Sequence, residues 1–253
     1  MWVLATPADG YTFAMLANGI IIDQVLKKGA DFDIRKDLIP VARAVQAPMG
    51  VFVSNTLPVN SVKELVEYAM KNPGKIDYAS SGVGSVGQLL TERFRLATGL
   101  SLVHVPYPGG NATISVALMA GDVQVSFSDI ESMRALANDK KIKYPATLAD
   151  QRSPIFPDAP AISEVGIPEL RGIFSPFFFG FFVAPGTDPA RVEKLATDIN
   201  ATLHDPATRD RLAALGYDPA LLGGTRPADF RRLVLEELDR VEAIVRDAKI
   251  TME

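Results

Sequence analysis

The chain has 253 residues, 47% hydrophobic and 22% charged, with a formal net charge of -4 and no cysteine. The missing cysteine excludes disulfides, thiolate catalysis and cysteine-held metal, and the acidic balance excludes nucleic acid as a partner, since that takes a basic face. At roughly 150 residues per domain the length predicts two domains, each able to bury its own core.

The first stretch, "MWVLATPADGYTF", has no basic start and is interrupted by Asp9, so it does not read as a signal peptide. Residues 11–17, "YTFAMLA", read as a strand, and "GVFVSN" at 50–55 as another. A helix follows from Ser61, with Glu64 at capping-box spacing and Leu65, Tyr68 and Ala69 on one face. "NPG" at 72–74 stops it, and "KIDYAS" at 75–80 begins the next strand.

That strand runs into "SSGVGS", residues 80–85. Ser85 stands where an N-cap belongs, Gln88 completes Ser-x-x-Gln, and apolar positions continue to a glycine stop at Gly99. Such a helix start turns unpartnered amides and a positive dipole end toward the loop, which makes an anion site without a cationic side chain. The Gly-Lys-Ser/Thr ending of a phosphate loop and the third glycine of a dinucleotide fingerprint are both missing. A plain capped turn accounts for this loop equally well.

A second turn repeats the arrangement. The strand "LSLVHVPY" at 100–107 meets Gly109 and Gly110, and Asn111 is expected to cap a helix over 112–120 that stops at Gly121. "DVQVSFSD" at 122–129 is the strand after it. On neighbouring parallel strands, two such turns bring two helix starts to the carboxyl edge of a sheet, where ligands of open α/β sheets settle. Tyr107, at a strand end, suits either stacking on a ligand or half-buried packing.

Beyond Asp129 the chain reads as helical and then polar, through "NDKKIK" and "RSPIFPDAP". "FSPFFFGFFVAP" at 174–185 falls short of the ~20 residues a bilayer span needs and reads as a buried strand. Two amphipathic helices close the chain, over 189–203 behind Asp188-Pro189 and over 227–249. The alternation predicts an α/β fold with largely parallel sheets.

No catalytic constellation assembles. His104 reads as a core or rim residue of its strand and His204 as exposed at a helix end, and the serines of 80–85 lack a nucleophile elbow. Glu236, Glu237, Asp239 and Glu242 alternate with arginines as a solvated face. No metal-ligand spacing is present, so neither catalysis, a metal nor a cofactor is expected.

Five stretches, "YASSGVGSVGQLL", "VHVPYPGG", "GDVQVSFSD", "RSPIFPDAPAISEVGIPEL" and "VAPGTDPARVEKLATDIN", stand in one order. In these the chain resembles the Bug family, the tripartite tricarboxylate transporter receptors, from about Pro7 to the C-terminus. The resemblance implies a periplasmic solute-binding protein of the two-lobed, type II Venus-flytrap fold. Residues 1–49 with 167–253 would form the first lobe and 50–166 the second. The cleft between the lobes would close on a small carboxylate (di- or tricarboxylate, acidic amino acid or aromatic acid) for the membrane permease subunits of a tripartite transporter.

Carried onto matching positions, the ligand-binding residues are Ser80, Ser81, Gly82, Val83, Gly84 and Ser85, then Tyr107, Gly109 and Gly110, then Asp129, with Asn18 from the first lobe. The family often has histidine where this chain has Gln88. Family members also carry a strand, loop and helix ahead of the "PADGYTF" position, near which this chain begins. The resemblance therefore implies an incomplete first lobe, weak ligand binding, and self-association or truncation. A ligand-sensing protein on the same fold and a carboxylate-handling enzyme are the other classes the loops would serve.

Overall fold

The computed structural model describes residues 2–27, 32–174, 177–214, 217 and 223–251. In chain order the elements are β1 (Phe13–Ala17), α1 (Gly19–Leu26), β2 (Ile39–Ala47), β3 (Met49–Ser54), α2 (Val62–Lys71), β4 (Asp77–Ser80), α3 (Val86–Thr98) and β5 (Val103–Pro106). They continue as α4 (Asn111–Ala120), β6 (Val125–Asp129), α5 (Ile130–Asn138), β7 (Ile142–Thr147), β8 (Phe177–Val183), α6 (Pro189–His204), α7 (Pro206–Ala214) and α8 (Pro227–Asp247). The chain divides into two compact units, Met1–Ala47 with Phe177–Asp247, and Pro48–Pro176 with Ala248–Thr251.

The sheet of the first unit has the order β1-β8-β2, and β8 pairs antiparallel with both neighbours. This departs from the expectation of parallel sheets. β1, α1 and β2 do form a parallel crossover, but the slot between its strands is filled by the far later β8 running the other way. The phenylalanine run makes sense in that slot. Phe178 and Phe182 meet the fully buried Phe230 of α8 at ring-centroid distances of 5.7 and 5.3 Å. Phe181 packs from the alternate positions with Val192 and Ala196 of α6. Helices on both faces remove the need for a polar side, so the strand reads as continuously apolar.

The second unit carries a five-stranded sheet of order β5-β4-β6-β3-β7. β4 runs parallel to β5 and β6, while β3 runs antiparallel to β6 and β7. Four strands therefore share one direction, and β3 alone opposes them, inserted between the crossover strands β6 and β7. Both inserted strands, β3 and β8, are the first strands after the chain passes from one unit into the other.

Local signals explain several boundaries. The Ser61 hydroxyl accepts from the Glu64 amide at 3.1 Å while the Glu64 carboxylate accepts from the Asn60 amide at 2.7 Å, fastening the start of α2. Gly99 and Gly121 end α3 and α4 with φ of 68° and 84°, in the left-handed region that glycine tolerates. The stretch read as polar after residue 138 holds β7 instead. As an edge strand β7 admits Pro145, and the Lys143 ammonium is drawn inward to the carbonyls of Leu57 and Val59 at 2.7 and 2.9 Å.

Candidate functional site

The parallel trio β5-β4-β6 sets its carboxyl ends side by side, and each end turns directly into a helix: α3 after β4, α4 after β5 and α5 after β6. Three helix starts thus lie at one sheet edge. None of residues 80–88 or 106–113, which make the first two turns, is lysine or arginine.

The α3 turn is organised by side chains turned inward. Ser80 is buried at 1% exposure; its hydroxyl donates to the Gly82 carbonyl at 2.9 Å and lies 2.7 Å from His104 Nε2. Gly82 and Gly84 hold φ of 134° and 77°, conformations that side chains with a Cβ resist. The Ser85 hydroxyl accepts from the Gln88 amide at 3.3 Å, as its cap position predicts. The reciprocal arm differs from the usual capping box: Gln88 Oε1 accepts from the Gly84 amide at 2.7 Å rather than from the cap residue. The Val86 and Gly87 amides, which open α3, have no acceptor among the described residues.

The α4 turn is tighter. The Gly110 amide donates to the Tyr107 carbonyl at 2.9 Å, and the Tyr107 amide donates to the Ser80 carbonyl at 2.8 Å, which ties the two loops together. Gly110, with φ of 67°, is the cap residue, where Asn111 was expected. Asn111 begins the helix, and its side-chain amide reaches sideways to the Asp129 carboxylate and to Ser132 Oγ, the latter at 2.9 Å. The physical reason is that Asp129 already offers an anionic acceptor there. The other oxygen of Asp129 caps α5 by accepting from the Ser132 amide at 2.8 Å.

The residues selected from sequence therefore fall into groups. Ser81 and Val83 are exposed, and Gly82, Gly84, Ser85 and Gly110 partly so, around the two turns. Ser80 lies behind them, Gly109 is exposed with the Thr113 side chain 2.4 Å from where a Cβ would stand, and the Tyr107 ring packs partly on the core. Asp129 is engaged in joining α4 to α5. Asn18 belongs to the first unit, where it precedes α1, is 5% exposed and donates its backbone amide to the Phe178 carbonyl at 3.0 Å. Gln88 and His104 were noted in the sequence for other reasons, and their linkage comes only from the fold, which pairs Tyr78 with His104 across β4 and β5.

Behind the loop lies a second polar set. The Tyr78 ring stacks on His104 at 4.9 Å, and its hydroxyl donates to Glu92 at 2.7 Å, while the other oxygen of Glu92 holds Arg95 at 2.7 Å. Burial, reinforced by the bond to Glu92, pushes the Tyr78 phenol far above its ordinary range. Burial pulls His104 below the usual imidazole value, opposed in part by the Glu92 charge.

Uncharged loops that gather helix starts at one sheet edge are the arrangement in which open α/β folds receive small anions. The family model described as the tripartite tricarboxylate transporter family receptor matches residues 2–250, and the chain belongs to that family of solute-binding receptors. It is 29% identical over 245 residues to the protein BugT of Bordetella pertussis, covering 95% of this chain and 72% of BugT. A solved structure of R. palustris Rpa4515 with adipate superposes with a TM-score of 0.82 at 30% identity, covering 99% of this chain and 82% of that one. Another, described as a periplasmic transporter, gives a TM-score of 0.81 at 26% identity over 100% of this chain and 82% of that one. The Bug-family resemblance carried by the five motifs and the periplasmic-binding-protein class of the fold are thereby established.

Proposed function

We propose that this receptor holds one carboxylate of a small organic acid at the turns 81–85 and 107–110, using backbone amides, hydroxyls and the dipoles of α3 and α4, and delivers the acid to membrane permease subunits in the periplasm. The observation that carries the reading is the convergence of helix starts on two turns without lysine or arginine. Dipoles and amides stabilise a carboxylate there, while the lack of a buried ion pair keeps release easy. In this reading Asp129 positions α4 and does not touch the acid, since two carboxylates in contact would repel.

Two relatives support the chemistry and the place. The R. palustris protein at 30% identity is solved with adipate, a dicarboxylate. The neighbour at 26% identity is a periplasmic transporter. The family's description as a receptor of tripartite transporters supports the permease partner.

Titration calorimetry of the 253-residue chain tests the reading. Adipate is expected to bind weakly, with a Kd of about 0.1 mM, and its uncharged diamide at least about tenfold more weakly, because the diamide offers no anion to the helix starts. Equal heats from the acid and the diamide, or none from adipate at millimolar concentration, would overturn it.

A further inference from the structure

The hydrogen bonds behind the α3 turn form a chain whose donor directions are fixed from one end. The Gly84 amide can only donate, so the atom of Gln88 that it meets at 2.7 Å is the oxygen. The Gln88 nitrogen then points the other way, to His104 Nδ1 at 3.2 Å, and it too can only donate. His104 Nδ1 must therefore carry a lone pair, and the single proton of a neutral ring sits on Nε2. That proton faces Ser80 Oγ at 2.7 Å, which leaves the serine hydrogen for the Gly82 carbonyl at 2.9 Å. Each member is satisfied, and both ends of the chain are backbone groups of the loop.

From this we infer that His104 is a positioning residue for the carboxylate site: as the neutral Nε2–H tautomer it holds the Gly82 carbonyl and the Gly84 amide in the anion-receiving arrangement, through Ser80 and Gln88. The inference rests on the proposed carboxylate site at this loop. A second proton on Nδ1 would face the Gln88 amide nitrogen, donor against donor. Turning the Gln88 amide over would relieve that contact and set its nitrogen against the Gly84 amide. Protonation thus has no arrangement that keeps the loop as it stands.

The charged and titratable groups facing the ring are Tyr78 from β4 and, from α3, Glu92 with its partner Arg95. Glu92 favours the protonated ring, but its oxygens are shared between Tyr78 and Arg95. Burial works against the proton and predominates. The neutral form therefore persists below the ordinary value of about 6.5, and site disruption is confined to more acidic conditions.

The test has two arms on the full chain. In the first, nitrogen-15 NMR reads the ring nitrogens; with 2 histidines in the sequence, His204→Gln assigns the signals. A neutral Nε2–H tautomer for His104 that persists below pH of about 6.5 is expected. An Nδ1–H tautomer would overturn the inference, whether or not any ligand binds.

In the second arm, adipate affinity is followed against pH for the wild type, His104→Phe and Gln88→Glu. The ratio of wild type to H104F cancels the titration of adipate itself. H104F keeps the stack on Tyr78 but removes both ring nitrogens, and it is expected to bind about tenfold more weakly at neutral pH. The ratio should shrink toward one on acidification. Q88E offers oxygens to both the Gly84 amide and a doubly protonated ring, so it should raise the His104 pKa and abolish the loss of affinity in acid. Parallel pH profiles for wild type and H104F would refute the positioning role. Should H104F fail to fold, the tautomer and Q88E decide. Absence of adipate binding by the wild type at every pH would instead sink the carboxylate reading, and the tautomer would still judge the hydrogen-bond chain.

Discussion

Replacing Gly87 with alanine is expected to destabilise the protein by about 1–3 kcal/mol and to weaken adipate binding by more than about tenfold. Propensity alone predicts the opposite sign, because alanine in a helix interior is favoured over glycine by about 1 kcal/mol. The structure overrides it. A Cβ at Gly87 would stand 2.6 Å from the carbonyl oxygen of Phe127, a backbone atom of β6 that cannot rotate away. The first turn of α3 would have to lift off the sheet edge, carrying with it the Val86 and Gly87 amides and the Ser85 cap of the proposed anion site. Denaturant unfolding and calorimetry on G87A check the two effects. Higher stability with unchanged affinity would show that the close approach of α3 to β6 is not required.

The second large effect lies in the other unit. Phe230→Ala is expected to cost about 3–5 kcal/mol, since the ring is fully buried between Phe178 and Phe182. Gly180 makes room for it: a Cβ there would meet the tip of the Phe230 ring at 2.1 Å. Gly180→Ala should then destabilise the wild type by about 1–3 kcal/mol and yet be nearly neutral in the F230A background, where the space is open. The coupling in this double-mutant cycle is the measurement. Additive costs would mean that glycine is present at this position for some reason other than the ring.

The parts of the fold that were legible in the sequence are those whose signals are local. The Ser61 and Ser85 caps, the Gly99 and Gly121 stops and the phenylalanine strand are each written within a few residues. β2 escaped notice because "IPVARAVQA" is rich in alanine and begins beside a proline, and its pairing with β8 is broken by two register shifts that blur any alternation. β7 was hidden by lysines, one of which turns inward to carbonyls that no periodicity reveals. The expectation of parallel strands fails in the first unit because alternation along the chain does not report that the far later β8 enters between β1 and β2 against their direction.

The candidate site divides the same way. The turns themselves are visible as glycines between strand and cap. The assignments of Gln88 and His104 to one hydrogen-bond chain are not, because sheet pairing and the first turn of α3 bring together residues 16 apart in sequence. Asn111 illustrates the complementary error, in which a residue with the right chemistry for a cap begins the helix instead and donates its side-chain amide to the carboxylate of Asp129.

The inserted strand β8 bears on how the protein is made. The second unit is almost wholly continuous in sequence, and its five-stranded sheet is complete once Thr147 has left the ribosome. The first unit begins earlier and finishes later: β1 and β2 lie on either side of a position that stays vacant until Phe177–Val183 is synthesised. The unit that starts second is thus the one able to fold first during synthesis. Until β8 arrives, β1 and β2 are two unsatisfied edges, open to chaperones and to misassembly with other chains.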